Sequence, residues 1–167
     1  MADSEPELVG RVRRGDQQAF AELAQANRGP AWAVCLRITG SVHDAEDALQ
    51  DALAAAWQNI HRFRGDSKFS TWFFRIAANA ALAVVRRRAE VTEEAETIAS
   101  SQSSVEELVT NADRVQSALL QLPEVFRVAL VLRVYGDLTY EDIARHQGIP
   151  IQTVKSRISR ARTMMET

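Results

Sequence analysis

From Ala45 to Ile60 the apolar side chains recur at i, i+3 and i+4 without a gap: Ala45, Ala48, Leu49, Ala52, Leu53, Ala56, Trp57 and Ile60. Only a helix gathers that set on one face. The same spacing recurs along most of the chain, and Gly and Pro together supply only 11 of the 167 residues, so turns are few. An all-α protein is expected. The length suits one ordinary domain or two small helical ones and is too short for a barrel.

Breaks in the periodicity divide the chain. Leu8, Val9 and Val12 start an amphipathic segment, Gly15-Asp16 interrupts and recaps it, and Ala19, Phe20 and Leu23 carry it to Asn27, where Gly29-Pro30 is expected to turn the chain. A helix from Ala31 to Thr39 follows, and Ser41 with Asp44 forms a capping-box pattern for the long helix ending near His61. Ser70 is the expected cap of a fourth helix through Trp72, Phe73, Ile76 and Ala80 to Arg86-Arg87-Arg88. Residues 90–103 are acidic, Ser-rich and aperiodic, which reads as a flexible linker between units at 1–89 and 104–167. In the second unit Ser104 with Glu107 is a capping-box pattern for a helix through Val105, Leu108, Val115 and Leu119 that stops before Pro123; the next runs to Tyr135 with Gly136 as left-handed terminator.

Several functions are disfavoured by composition. The lone Cys35 forbids an internal disulfide and sits at helical spacing with Ala31, Val34 and Ile38, as a core residue would. His43, His61 and His146 are scattered, so no metal or cofactor is expected. No apolar run approaches membrane-spanning length, and MADSEPEL lacks the layout of a secretory signal, so a cytoplasmic protein with no membrane contact of its own is expected.

The net charge of −2 conceals strong blocks. Residues 41–60 hold four acids and no Lys or Arg, 61–88 hold seven bases against Asp66 alone, 89–113 hold seven acids, and 143–163 hold five bases and no acid. Of the 20 cations 18 are Arg, whose planar fork suits phosphates and guanine edges, so nucleic acid is the leading partner despite an acidic balance.

The last basic block has a definite shape. A short helix from Tyr140, capped by Thr139 with Asp142, a turn at Gly148-Ile149-Pro150, and a longer helix from Ile151 have the spacing of a helix-turn-helix. Ile151, Val154, Ile158, Ala161 and Met165 form its buried stripe, which leaves Lys155, Ser156, Ser159 and Arg160 together as donors toward base edges. Thr153, Arg157 and Arg162 flank them and suit phosphates.

The first unit carries two further surfaces. Asp44, Asp47 and Asp51 recur at i, i+3 and i+7 beside Gln50, a stripe suited to a basic protein partner. Phe63, Phe69 and Trp72 interleave with Arg62, Arg64, Lys68 and Arg75, a mixture that suits unpaired bases. Asn79, one turn after Arg75, has a carboxamide able to read a base edge.

In these residues the chain resembles bacterial sigma factors of the extracytoplasmic-function group. DAEDALQDALAAAW (44–57) is similar to the polymerase-binding helix of region two, FRGDSKFSTWFFRIAANAA (63–81) to its promoter-melting segment, and residues 122–162 to region four. The resemblance implies a sigma factor without catalysis of its own, with region two at 1–89 and region four at 104–167. It implies that Asp44, Asp47, Gln50 and Asp51 meet core RNA polymerase, and that Phe63, Arg64, Phe69, Trp72, Arg75, Asn79, Arg86 and Arg87 serve the downstream element and its melting. Thr153, Lys155, Ser156, Arg157, Ser159 and Arg160 would serve the upstream element of promoter DNA, and an anti-sigma factor is the implied regulator. Two other readings cover parts of the pattern: a free-standing helix-turn-helix regulator, which would bind its operator without polymerase, and a metal-dependent phosphoesterase using Asp44, Asp47 and Asp51, which chelation would silence.

Overall fold

The computed structural model describes residues 3–94 and 111–166, and every regular element among them is helical. The first unit comprises α1 (Glu5–Arg13), α2 (Gln17–Thr39), α3 (Val42–Asn59), a single 3-10 turn (Ile60–Arg62) and α4 (Phe69–Glu94). The second comprises α5 (Asn111–Gln121), α6 (Glu124–Val134), α7 (Tyr140–Gln147) and α8 (Ile151–Glu166).

The core of the first unit is made of small residues where helices must approach and of aromatics where they diverge. Ala45, Ala48, Ala52 and Ala56 on α3 and Ala77, Ala78 and Ala81 on α4 are fully buried, so the alanine-rich faces let these backbones lie close together. At the other end Phe63, Phe69, Trp72 and Phe73 close the bundle with ring centroids 5.4–6.1 Å apart. Cys35 is buried against the Ala77 carbonyl, and burial pushes its thiol up to about 12, as expected of a core residue.

Four local expectations are corrected. The helix does not break at Gly29-Pro30; α2 runs straight through. Gly29 has no Cβ to clash with the proline ring, and Ala19, Leu23, Ala31, Val34 and Ile38 share one buried face that a break would dismantle. Ser70 does not cap α4. Phe69 is already helical, and its N–H donates to the Glu5 carboxylate at 3.2 Å, so α1 supplies an acid to the positive end of α4. Gly136 is not left-handed; Asp137 takes the positive φ of 54°, while a Cβ on Gly136 would stand 2.9 Å from the Leu132 carbonyl oxygen. Finally, α4 continues through Glu94, so residues 90–94 are helix rather than linker, and the expected cap at Ser104 with Glu107 lies outside the described residues.

Two other caps can be compared with expectation. Ser41 accepts from the Asp44 N–H at 3.3 Å, but the Asp44 carboxylate pairs with Arg88 and does not close the expected box, whereas Thr139 and Asp142 form both bonds of a capping box at 3.1 Å. Gly148 is left-handed with φ 67°, and Ile149 N–H donates to the Ala144 carbonyl, which sets the angle between α7 and α8.

Candidate nucleic-acid interface

The helix-turn-helix is held by Ile143, Val154, Ile158 and Ala161, all buried, with Met165 half-buried beneath. Ile151 differs from expectation: it is the first residue of α8 and is 36% exposed. On the opposite face Lys155, Ser156, Ser159 and Arg160 are exposed together. Thr153 and Arg157 are half-buried, and Arg157 donates to the Gln147 side chain at 3.1 Å, which fixes its stem on α7. Lys155 lies 6.0 Å from the Tyr140 ring centroid and so shares the same rim.

In the first unit the aromatic and basic residues separate into layers. Phe63 and Phe69 were expected to meet bases, but they are 5% and 0% exposed. Two phenyl rings beside a short 3-10 turn gain more from mutual burial than a loop could offer them in water. Trp72 is half-buried over them and lines an open pocket of about 240 Å³ with Phe63, Ser67 and four arginines, Arg62, Arg64, Arg75 and Arg145, against the single acid Asp66. Arg64 is exposed, whereas Arg75 is half-buried with its Nε enclosed and unpartnered. Asn79 projects one turn further along α4, and its Oδ1 lies 2.8 Å from His146 Nε2. Burial, and then the charge of Arg75, hold the His146 pKa below its ordinary value.

The arginine run of α4 is divided among three acids. Arg86 reaches Glu124 of α6 at 2.8 Å, Arg87 reaches Asp51 at 3.4 Å and Arg88 reaches Asp44 at 2.8 Å. This corrects the acidic stripe. The Asp44 side chain is 7% exposed and committed to Arg88, whereas Asp47 and Asp51 are 57% and 56% exposed and Gln50 is also open. Spacing alone could not separate Asp44 from the other two, because it is the length of α4 that brings Arg88 over the first turn of α3. Glu124, Arg127 and His146, which tie the two units together, carried no motif; they matter only because of which helix faces which.

The Sigma-70 region 2 model matches residues 15–91, and the Sigma-70 region 4 model matches residues 112–165. The ECF RNA polymerase sigma factor SigW of Bacillus subtilis is 32% identical, with 92% of this chain and 90% of the relative covered. The chain belongs to the ECF sigma factors. The sigma-E factor of Escherichia coli is 36% identical, covering 95% of this chain and 91% of that protein. Among solved structures, CnrH in complex with the cytosolic domain of CnrY superposes with a TM-score of 0.73 at 26% identity, covering 98% of this chain and 96% of that one. The sigma factor RpoE of Bartonella quintana, solved with the anti-sigma factor NepR, gives a TM-score of 0.73 at 26% identity, covering 88% and 94%. The sigma factor is thus a transcription initiation factor built from regions two and four, and no described helix is long and apolar enough to cross a membrane.

Proposed function

We propose that the sigma factor divides promoter recognition among three surfaces and leaves all chemistry to the polymerase. The Asp47, Gln50 and Asp51 face of α3 docks on a basic element of core RNA polymerase. Trp72, Arg64, Arg75 and Asn79, supported from below by Phe63 and Phe69, take an unpaired base of the downstream element, with Arg86 and Arg87 along the strand. Lys155, Ser156, Ser159 and Arg160 read base edges of the upstream element, flanked by Thr153 and Arg157 on phosphates. The observation that carries this reading is the coexistence, on one chain, of an exposed donor face on a helix-turn-helix and a cationic pocket built around a half-exposed tryptophan. The two solved relatives described above are complexes with CnrY and with the anti-sigma factor NepR, which supports an anti-sigma partner in the cytoplasm for this chain also.

Transcription in vitro with purified core enzyme on a promoter library tests the whole reading. Starts at defined promoters should require both components, and a start-site distribution unchanged by the sigma factor would refute it. Within that assay Arg160→Ala should weaken recognition by about 1–3 kcal/mol and relax the choice at one upstream position. A uniform loss over all sequences would reassign Arg160 to a phosphate.

A further inference from the structure

Regions two and four touch through specific polar bonds as well as apolar packing. Arg127 of α6 donates to the Ile38 carbonyl at 2.9 Å and to the Leu122 carbonyl at 3.2 Å, so one guanidinium closes the negative ends of α2 and α5 together. Arg37 of α2 donates to the Gln116 side chain at 3.0 Å, receives the Gln116 amide on its own carbonyl at 3.3 Å, and lies 5.3 Å from the Tyr135 ring centroid. Leu120 packs so closely on Gly40 that a Cβ there would stand 2.6 Å from its Cδ1.

The contacts on α4 fall on residues with another use. Asn79 is engaged by His146, Arg86 by Glu124, and Arg145 of α7 shares the pocket of Trp72 and Arg75. Asn79, Leu82 and Arg86 also wall a cleft of about 310 Å³ whose other side is Glu124, Val128, His146 and Arg157. The face of α3 with Asp47 and Asp51 and the face of α8 with Lys155 and Arg160 stay exposed.

We propose that the sigma factor holds itself closed, region four clasping region two through Arg127, Arg37 and His146 so that the single-strand face of α4 is occupied while the polymerase and duplex-reading faces remain free. The closed chain can be recruited, but the separated strand can enter only after region four lifts away. This rests on the reading of α4 given under the proposed function.

The test uses the full chain with dyes on cysteines introduced at two exposed positions, Gln58→Cys on α3 and Thr163→Cys on α8; Cys35 is buried and its raised pKa keeps it unlabelled. Energy transfer should be high in the otherwise unaltered protein and should fall when Arg37→Met and Arg127→Met are combined. The same pair should raise affinity for a fluorescein-labelled single-stranded DNA of random sequence severalfold, although losing two cations would by charge alone weaken it. Because Arg127 also serves α5, Gln116→Ala with His146→Ala provides a second opened form, with circular dichroism as the folding control.

Acid should open the chain too. Burial and Arg75 favour neutral His146 in the closed form, and opening returns it to its ordinary range, so the open form binds the proton and transfer should fall progressively as pH drops below about 6.5. The other charged groups around it are Arg86 on α4, Glu124 on α6, Arg157 on α8 and Arg145 on its own helix. Low transfer in the unaltered chain, transfer unmoved by the variants, or opened forms that bind single strands no tighter would each overturn the proposal, and transfer that rises on acidification would overturn the part assigned to His146. Asn79→Ala separates it from the reading beneath: normal promoter opening by that variant with polymerase would defeat the role of α4 whatever the distance between the regions.

Discussion

Phe69→Ala will remove about 3–5 kcal/mol from the stability of region two, the usual cost of deleting a buried aromatic ring. Phe69 is fully buried, its centroid lies 5.7–6.1 Å from those of Phe63, Trp72 and Phe73, and its backbone N–H is the one that Glu5 caps. Truncation would leave a void where the 3-10 turn, α1 and α4 meet, and those elements cannot collapse on it without moving the 3-10 turn. Since small domains have a total stability of about 5–15 kcal/mol, the variant should lose much of its cooperative transition, seen by thermal or urea unfolding followed at 222 nm by circular dichroism. Phe69→Leu should retain most of the stability. A loss below about 1 kcal/mol for the alanine variant would show that the ring is not part of the core. The consequence for function is indirect: Trp72 rests on Phe63 and Phe69, so the pocket should lose its geometry before it loses any group that touches DNA.

This aromatic layer shows what was legible in the sequence. Helical class, the α3 stripe and the helix-turn-helix could all be read, because each depends on spacing within one element, and Thr139 with Asp142 or Gly148 carries its own local geometry. What spacing cannot state is which neighbour covers a residue. Phe63 and Phe69 share the composition of a base-stacking segment, but α1 and the 3-10 turn put them inside. Asp44 shares the period of Asp47 and Asp51, but Arg88 arrives from α4 and covers it. Pro30 looks like a terminator until the buried face on both sides of it is seen to be continuous. The contact between the regions involved no motif at all, since Arg127 acts on the Ile38 carbonyl, far away in sequence, and only the packing of α6 against α2 brings it within reach.

Charge reversal at Asp47 and Asp51, made together as Asp47→Arg and Asp51→Arg, should weaken binding to core polymerase at least about 100-fold, in keeping with the 2–5 kcal/mol that close interfacial charge pairs carry when one partner is lost. The fold does not depend on either group. Both are more than half exposed; among the described residues Asp47 faces only His43, at 3.8 Å, and Asp51 only Arg87, at 3.4 Å. Exposed pairs of that length contribute within about 1 kcal/mol, so unfolding should barely shift. Asp44→Ala is the internal contrast. It strands Arg88 without changing the exposed stripe, so it should lower stability and leave polymerase affinity close to the parent. Binding measured by fluorescence anisotropy at two salt concentrations separates the cases, because a steered, charge-driven contact weakens with salt in the parent and should lose that dependence in the reversed variant. Duplex DNA binding by α8 should be unaffected, since Lys155 and Arg160 lie on the other unit. If the reversed variant binds polymerase normally at low salt, α3 is not the docking face, and the free acids would then have to be assigned to a different basic partner.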